Sequence, residues 1–158
     1  MMKTIDQQIT LMSLHWRRLA VDARSQTGAV WRGPLAGIEK TYEVEIAYSL
    51  PPQGPWIGAP VFPVVRVLWP ALKPNFEAAE EAPLPHVYER RDYLPLSPLC
   101  LFDPAEDEWT PDDYLAFTTV PWTADWLACY ESWRVTGRWE GGGRHGHRPP
   151  LACLRRCA

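Results

Sequence analysis

The chain has 158 residues, 46% of them hydrophobic and 22% charged, which suits one folded domain with a real core. No run approaches the roughly 18 apolar residues of a membrane span, and Asp6, Gln7 and Gln8 interrupt the apolar core that a signal peptide needs. A cytoplasmic protein with four reduced cysteines is therefore expected. The net charge of −3 says little, but its distribution says more. Glu77 to Asp113 holds eleven acidic residues against Arg90 and Arg91, an environment that disfavours nucleic acid and suits a cationic partner such as a lysine side chain. Nine Trp suggest a core of few, large side chains. Seventeen Pro, well above the roughly 5% average usage, predict long loops with fixed turns.

Thr4 to Asp22 reads as a helix, because Ile5, Ile9, Met12, Trp16 and Leu19 recur at steps of four and three. Thr4 and Gln7 have the spacing of a capping box, and Arg17 and Arg18 fall where they would complement the helix dipole. Ala29 to Leu35 reads as a strand with Gly33-Pro34 as a bulge or edge signal. Lys40 to Tyr48 is the clearest strand, with Tyr42, Val44, Ile46 and Tyr48 alternating against Thr41, Glu43 and Glu45. After a proline-rich loop, Val64 to Trp69 forms a third strand and His86-Val87-Tyr88 a short fourth. Asp112 to Ala116 is expected as a turn or short helix. Pro121 to Thr136 is a helix with Pro121 in its first turn and Gly137 as its stop. Trp122, Trp126, Cys129, Tyr130 and Trp133 would form its packed face, which makes Cys129 structural. The order predicts an α+β domain: an N-terminal helix, a four-stranded antiparallel meander, a cysteine loop and a C-terminal helix.

The stretch Leu94-Pro-Leu-Ser-Pro-Leu-Cys-Leu-Phe-Asp103 is where chemistry is expected. Taken alone, Cys100 reads as a small buried hydrophobe. Its setting says more: Pro95 and Pro98 stiffen the approach by fixing φ, and apolar Leu99, Leu101 and Phe102 pin the loop to a core. The chain has no G-x-x-x-x-G-K-[ST], and Gly141-Gly142-Gly143 follows a helix and lacks the lysine, so nucleotide activation by this chain alone is not expected. There is no H-E-x-x-H or G-x-S-x-G. A papain-like pair of Cys100 with His86, His145 or His147 can be written down. In such proteases, however, the cysteine usually opens a helix, whereas here Asp103-Pro104 and an acidic run follow. Such a thiol suits exchange with a chain already activated elsewhere. His145, His147, Cys153 and Cys157 are potential zinc ligands in a spacing that matches no standard finger, so no metal and no cofactor are expected.

His86, Leu99-Cys100-Leu101 and Trp109-Thr110-Pro111, in this order of elements, resemble the ubiquitin-conjugating (UBC) enzyme fold. Pro121-Trp122, Trp126-Leu127, Tyr130-Glu131-Ser132-Trp133, Thr136-Gly137 and the run Trp139 to His145 resemble its bacterial branch, the stand-alone ubiquitin-conjugating-like proteins of CBASS antiphage operons. The resemblance spans Trp31 to His147 and implies a ubiquitin-conjugating-like domain over 1–147 with a C-terminal tail over 148–158. It further implies that Cys100 carries a thioester to the C-terminus of a partner, a cGAS-like nucleotidyltransferase, and passes it to an amine. A separate activating enzyme is a further implied partner. Eukaryotic members carry His-Pro-Asn, whose Asn helps stabilise the oxyanion, whereas this chain has His86-Val87-Tyr88. His86 is thus either a supporting site residue or a structural histidine, and the oxyanion donor must be a backbone N–H or another side chain. The alternative is a non-catalytic binding module of the same fold in which Cys100 is only packed.

Overall fold

The computed structural model describes residues 1–51 and 61–141. It contains helix α1 (Ile5–His15), strands β1 (Ala20–Arg24), β2 (Gly28–Ala36), β3 (Thr41–Ser49) and β4 (Val64–Trp69), a single 3₁₀ turn (Leu94–Leu96) and helix α2 (Thr119–Thr136). The strands form one antiparallel sheet in the order β1-β2-β3-β4. This is the expected α+β arrangement, a UBC-like four-stranded meander between two helices. Among the described residues no helix is long and apolar enough to cross a membrane.

Thr4 caps α1 as its spacing predicts. The Gln7 N–H donates to Thr4 Oγ1 at 3.2 Å, and the Thr4 N–H donates to Gln7 Oε1 at 2.9 Å. The helix stops at His15, however, and does not run on to Asp22. Trp16 leaves the helical region at φ −129°, ψ 58°, and its indole Nε1 donates to the Ala116 carbonyl at 2.8 Å. Trp16 and Leu19 still face the core, but from a turn closed by the Leu19 N–H on the Trp16 carbonyl at 2.8 Å. Arg17 and Arg18 therefore lie past the helix. The buried face of α1 is Ile5, Gln8 and Met12. Gln8 is fully enclosed because it serves two backbone groups: its Nε2 donates to the Asp113 carbonyl at 2.8 Å, and its Oε1 accepts from the Leu115 N–H at 3.0 Å.

The fourth strand of the meander is β1, at the opposite edge from the expected one. All five of its residues are exposed, so no alternation marks it. Asp22 is the extra residue of a bulge between Val21↔Trp31 and Ala23↔Val30. The β1 ladder ends at Ala20↔Arg32, so Pro34 lies beyond it, where the missing N–H costs no pairing on that side. Gly33 is required there, since a Cβ would meet the Arg18 carbonyl oxygen at 2.0 Å. β3 follows its pattern, burying Tyr42, Val44, Ile46 and Tyr48. On the outer face Glu45 accepts from Arg32 at 2.7 Å and Arg66 at 3.4 Å, while Asp22 lies 3.3 Å from Arg32. His86-Val87-Tyr88 contributes a single bridge, Val87↔Leu99, and no strand. Residues 112–116 take the turn form of the two expected, with a bend at Asp113, and no helix forms there.

α2 closes the core. Gly137 ends it at φ 71°, a left-handed conformation natural to glycine. Trp126, Tyr130 and Trp133 are buried, whereas Trp122 and Cys129 are half-buried at the margin of the predicted face. The Glu131 carboxylate accepts from the N–H groups of Ile38, Glu39 and Lys40 at 2.9, 2.7 and 3.2 Å, which ties α2 to the β2–β3 turn. Burial raises the Tyr130 phenol, and burial alone pushes the Tyr48 phenol up to about 12. Trp126 is 4% exposed and stacks on Tyr130 with centroids 5.4 Å apart. Trp126→Ala is therefore expected to cost about 3–5 kcal/mol in denaturant unfolding. A loss under about 1 kcal/mol would show that this face does not pack against the core.

Candidate functional site around Cys100

The loop bearing Cys100 is one arm of a short antiparallel pair. The Cys100 N–H donates to the His86 carbonyl at 2.8 Å, and the Tyr88 N–H donates to the Pro98 carbonyl at 2.8 Å. Val87 and Leu99 sit opposite each other between these bonds. The Leu99 N–H also donates to the Val65 carbonyl at 2.9 Å, which fastens the pair to β4. The two prolines act as expected. Pro95 lies in the 3₁₀ turn that returns the chain, and Pro98 needs no N–H because its carbonyl makes the contact. The connecting loop is held by the Arg90 N–H on Ser97 Oγ at 2.9 Å, with Ser97 fully buried. The Arg90 guanidinium pairs with Asp92 and lowers that carboxyl below its ordinary range.

On the far side of Cys100, Leu101 and Phe102 pack against the core. The Phe102 ring contacts Phe62, Trp109 and Trp122 at centroid distances of 5.3, 6.2 and 5.9 Å. Trp109 in turn meets Tyr48 edge-on at 5.3 Å. The acidic run that follows is partly spent on its own loop. Glu108 accepts from the Asp103 N–H at 2.7 Å, and Asp103 Oδ1 accepts from the Ala105 N–H at 2.9 Å. Asp113 holds Thr110, and Asp112 pairs with the N-terminal amine. Glu106 and Asp107 are exposed close to the cysteine in sequence.

Cys100 itself is 9% exposed. Its Sγ lies within donating distance of two oxygens, the Tyr88 hydroxyl at 3.6 Å and the Phe102 carbonyl at 3.8 Å. His86 is buried, has φ +43°, and stacks its imidazole on the Trp139 indole at 4.9 Å and 23°. A left-handed backbone costs a non-glycine residue about 1–3 kcal/mol, so the surroundings must hold it. They do so through the carbonyl, which accepts from both Cys100 N–H and Trp126 Nε1, the latter at 3.1 Å. His86 thus sits beside the cysteine, with its main chain engaged in positioning the loop. Cys129, the other described cysteine, lies half-buried on α2, where burial and then Asp125 and Glu140 raise its thiol.

Tyr88, Trp126 and Trp139 complete the site, and sequence reading did not assign them to it. The available signal was the register. Once residues 86–88 pair with 98–100, Tyr88 stands diagonal to Cys100 on the same face of the pair, within reach of a long side chain. His145, His147, Cys153 and Cys157 lie outside the described residues, as does the boundary drawn at His147. Among the described residues no group of three or more His, Cys, Asp or Glu could hold a metal ion.

A comparison with curated proteins gave no match. Residues 8–147 match the family model described as Type II CBASS E2 protein. The chain therefore belongs to that family, a group of E2-like, conjugation-related proteins of CBASS antiviral defence.

Proposed function

We propose that the protein is a ubiquitin-conjugating-like acyl transferase in which Cys100 carries a thioester to the C-terminus of a partner and passes it to an amine. The observation that carries this reading is the clamp on the cysteine. Backbone bonds to His86 and Val65 and the aromatic seat of Phe102 fix the Cys100 main chain on both sides. Its sulfur meanwhile faces a hydroxyl. The family supports a partner encoded in the CBASS operon, and we propose the cGAS-like nucleotidyltransferase.

The chain has no nucleotide-binding loop, so the acyl group must arrive activated, as an acyl adenylate or thioester supplied by an activating enzyme. The Cys100 thiolate attacks the activated carbonyl carbon, an S–C bond forms, and the carrier group leaves. An amine then attacks the same carbon, the S–C bond breaks, the thiolate leaves, and the proton of the amine passes to solvent. Exposed Glu106 and Asp107 would draw a protonated lysine toward the loop. His86 is proposed as a supporting residue that acts through its carbonyl by fixing the Cys100 N–H.

One observation favours a second reading, a binding module with a packed cysteine: Cys100 is 91% covered, as its 9% exposure implies. Co-expression with the neighbouring genes and non-reducing electrophoresis separate the two. Wild type should give an adduct that thiol reductants release. Cys100→Ser should give one that resists them, because an oxyester replaces the thioester. Cys100→Ala should give none, while Cys129→Ala, Cys153→Ala and Cys157→Ala keep the wild-type adduct. A reducible adduct in Cys100→Ala removes the assignment, and absence of any adduct in wild type favours the binding module.

A further inference from the structure

Tyr88 is the third residue of the segment His86-Val87-Tyr88. The pairing of residues 86–88 with 98–100 brings its hydroxyl to 3.6 Å from Cys100 Sγ. A second oxygen near the sulfur, the Phe102 carbonyl at 3.8 Å, can only accept. A carbonyl therefore favours the thiol and opposes the thiolate. A phenol can do both: it accepts from S–H and, once the proton is gone, rotates to donate. Phenols are also weaker acids than thiols, so the phenol keeps its proton while the sulfur loses its own.

The same position serves an acylated sulfur. The carbonyl oxygen of a thioester sits on the carbon bonded to Sγ, so a hydroxyl within one hydrogen-bond length of the sulfur can reach it. When an amine attacks, charge builds on that oxygen, and a donor already in place stabilises the change without reorganisation.

We propose that the Tyr88 hydroxyl is a side-chain hydrogen-bond donor to the reacting groups at Cys100. It accepts from the Cys100 S–H in the thiol form, donates to the sulfur once that proton has left, and donates to the carbonyl oxygen during acyl transfer, keeping its own proton throughout. This rests on the reading of Cys100 as the acyl carrier. In the transfer step the amine nitrogen bonds to the acyl carbon, the C–S bond breaks with its electron pair going to sulfur, and the amine proton goes to solvent.

The test uses the full chain with Cys129, Cys153 and Cys157 replaced by Ala, so that Cys100 is the sole thiol. Iodoacetamide labelling across pH reads the thiolate. An acetyl thioester placed on Cys100 with p-nitrophenyl acetate and chased with hydroxylamine reads the transfer step, giving acetohydroxamate and free thiol. Tyr88→Phe should move the labelling midpoint to higher pH, slow labelling at neutral pH about tenfold, and slow the hydroxylamine chase by a similar factor. Incorporation of 3-fluorotyrosine at position 88, a stronger donor of nearly the same shape, should speed labelling and the chase below about pH 7, where a fluorinated phenol still keeps its proton. It decides the matter if Tyr88→Phe fails to fold. A labelling profile or a chase rate that superimposes on wild type in the folded variant overturns the proposal. Both probes work without a protein partner. Failure of the thioester reading would appear separately, as a co-expression that yields no Cys100-dependent adduct.

Discussion

The carbonyl oxygen of His86 accepts two hydrogen bonds, one from the Cys100 N–H at 2.8 Å and one from Trp126 Nε1 at 3.1 Å. Both lone pairs of one buried acceptor are thereby used. The first bond sets the register of the cysteine loop, and the second ties that register to α2, the helix that closes the core. To present its carbonyl this way, His86 takes a left-handed backbone at φ +43°. Its ring is held against Trp139, which also meets Trp126 at 5.9 Å. The aromatic richness of the chain thus has a positional use. Trp126, Trp139, Trp109 and Trp122 surround the two ends of a loop too short and too proline-rich to hold itself by a ladder.

Much of this was legible in the sequence, and the limits have physical causes. β3 and β4 were plain because β3 alternates between a buried and a wet face and β4 is apolar at every position but Arg66. β1 was not, because an edge strand exposed at all five residues carries no alternation. The helical period of α1 appeared to continue through Trp16 and Leu19 because Leu19 is buried and Trp16 is half-buried against the core, and burial rather than helix is what periodicity reports. Gln8 was hidden for the opposite reason. It is a polar residue on the buried face, explained only by the backbone groups of Asp113 and Leu115 that it satisfies.

At the candidate site, the apolar residues around Cys100 predicted a loop pinned to the core, and the loop is pinned on both sides. What could not be read was which side chain would stand at the sulfur. That depends on the pairing of residues 86–88 with 98–100, and a one-residue slip would send Tyr88 to the opposite face. The acidic belt was read as one feature and divides into two. Asp103, Glu108, Asp112 and Asp113 build turns or pair with the N-terminus, whereas Glu106 and Asp107 face solvent. Cys129 stands in different surroundings, half-buried at the margin of the α2 face. Burial and two carboxylates push its thiol up, and it sits on a helix face that is part of the fold.

The proposed thioester at Cys100 is tested most directly by the chemistry of the bond. Mass spectrometry of an acid-quenched, proteolysed adduct reads both its site and its type. A thioester should give the Cys100 peptide joined to the C-terminal peptide of the nucleotidyltransferase, with a mass equal to their sum less one water. A linked mass equal to the sum less two hydrogens would mean a disulfide. That result, or a link at Cys129, Cys153 or Cys157, would contradict the proposed thioester.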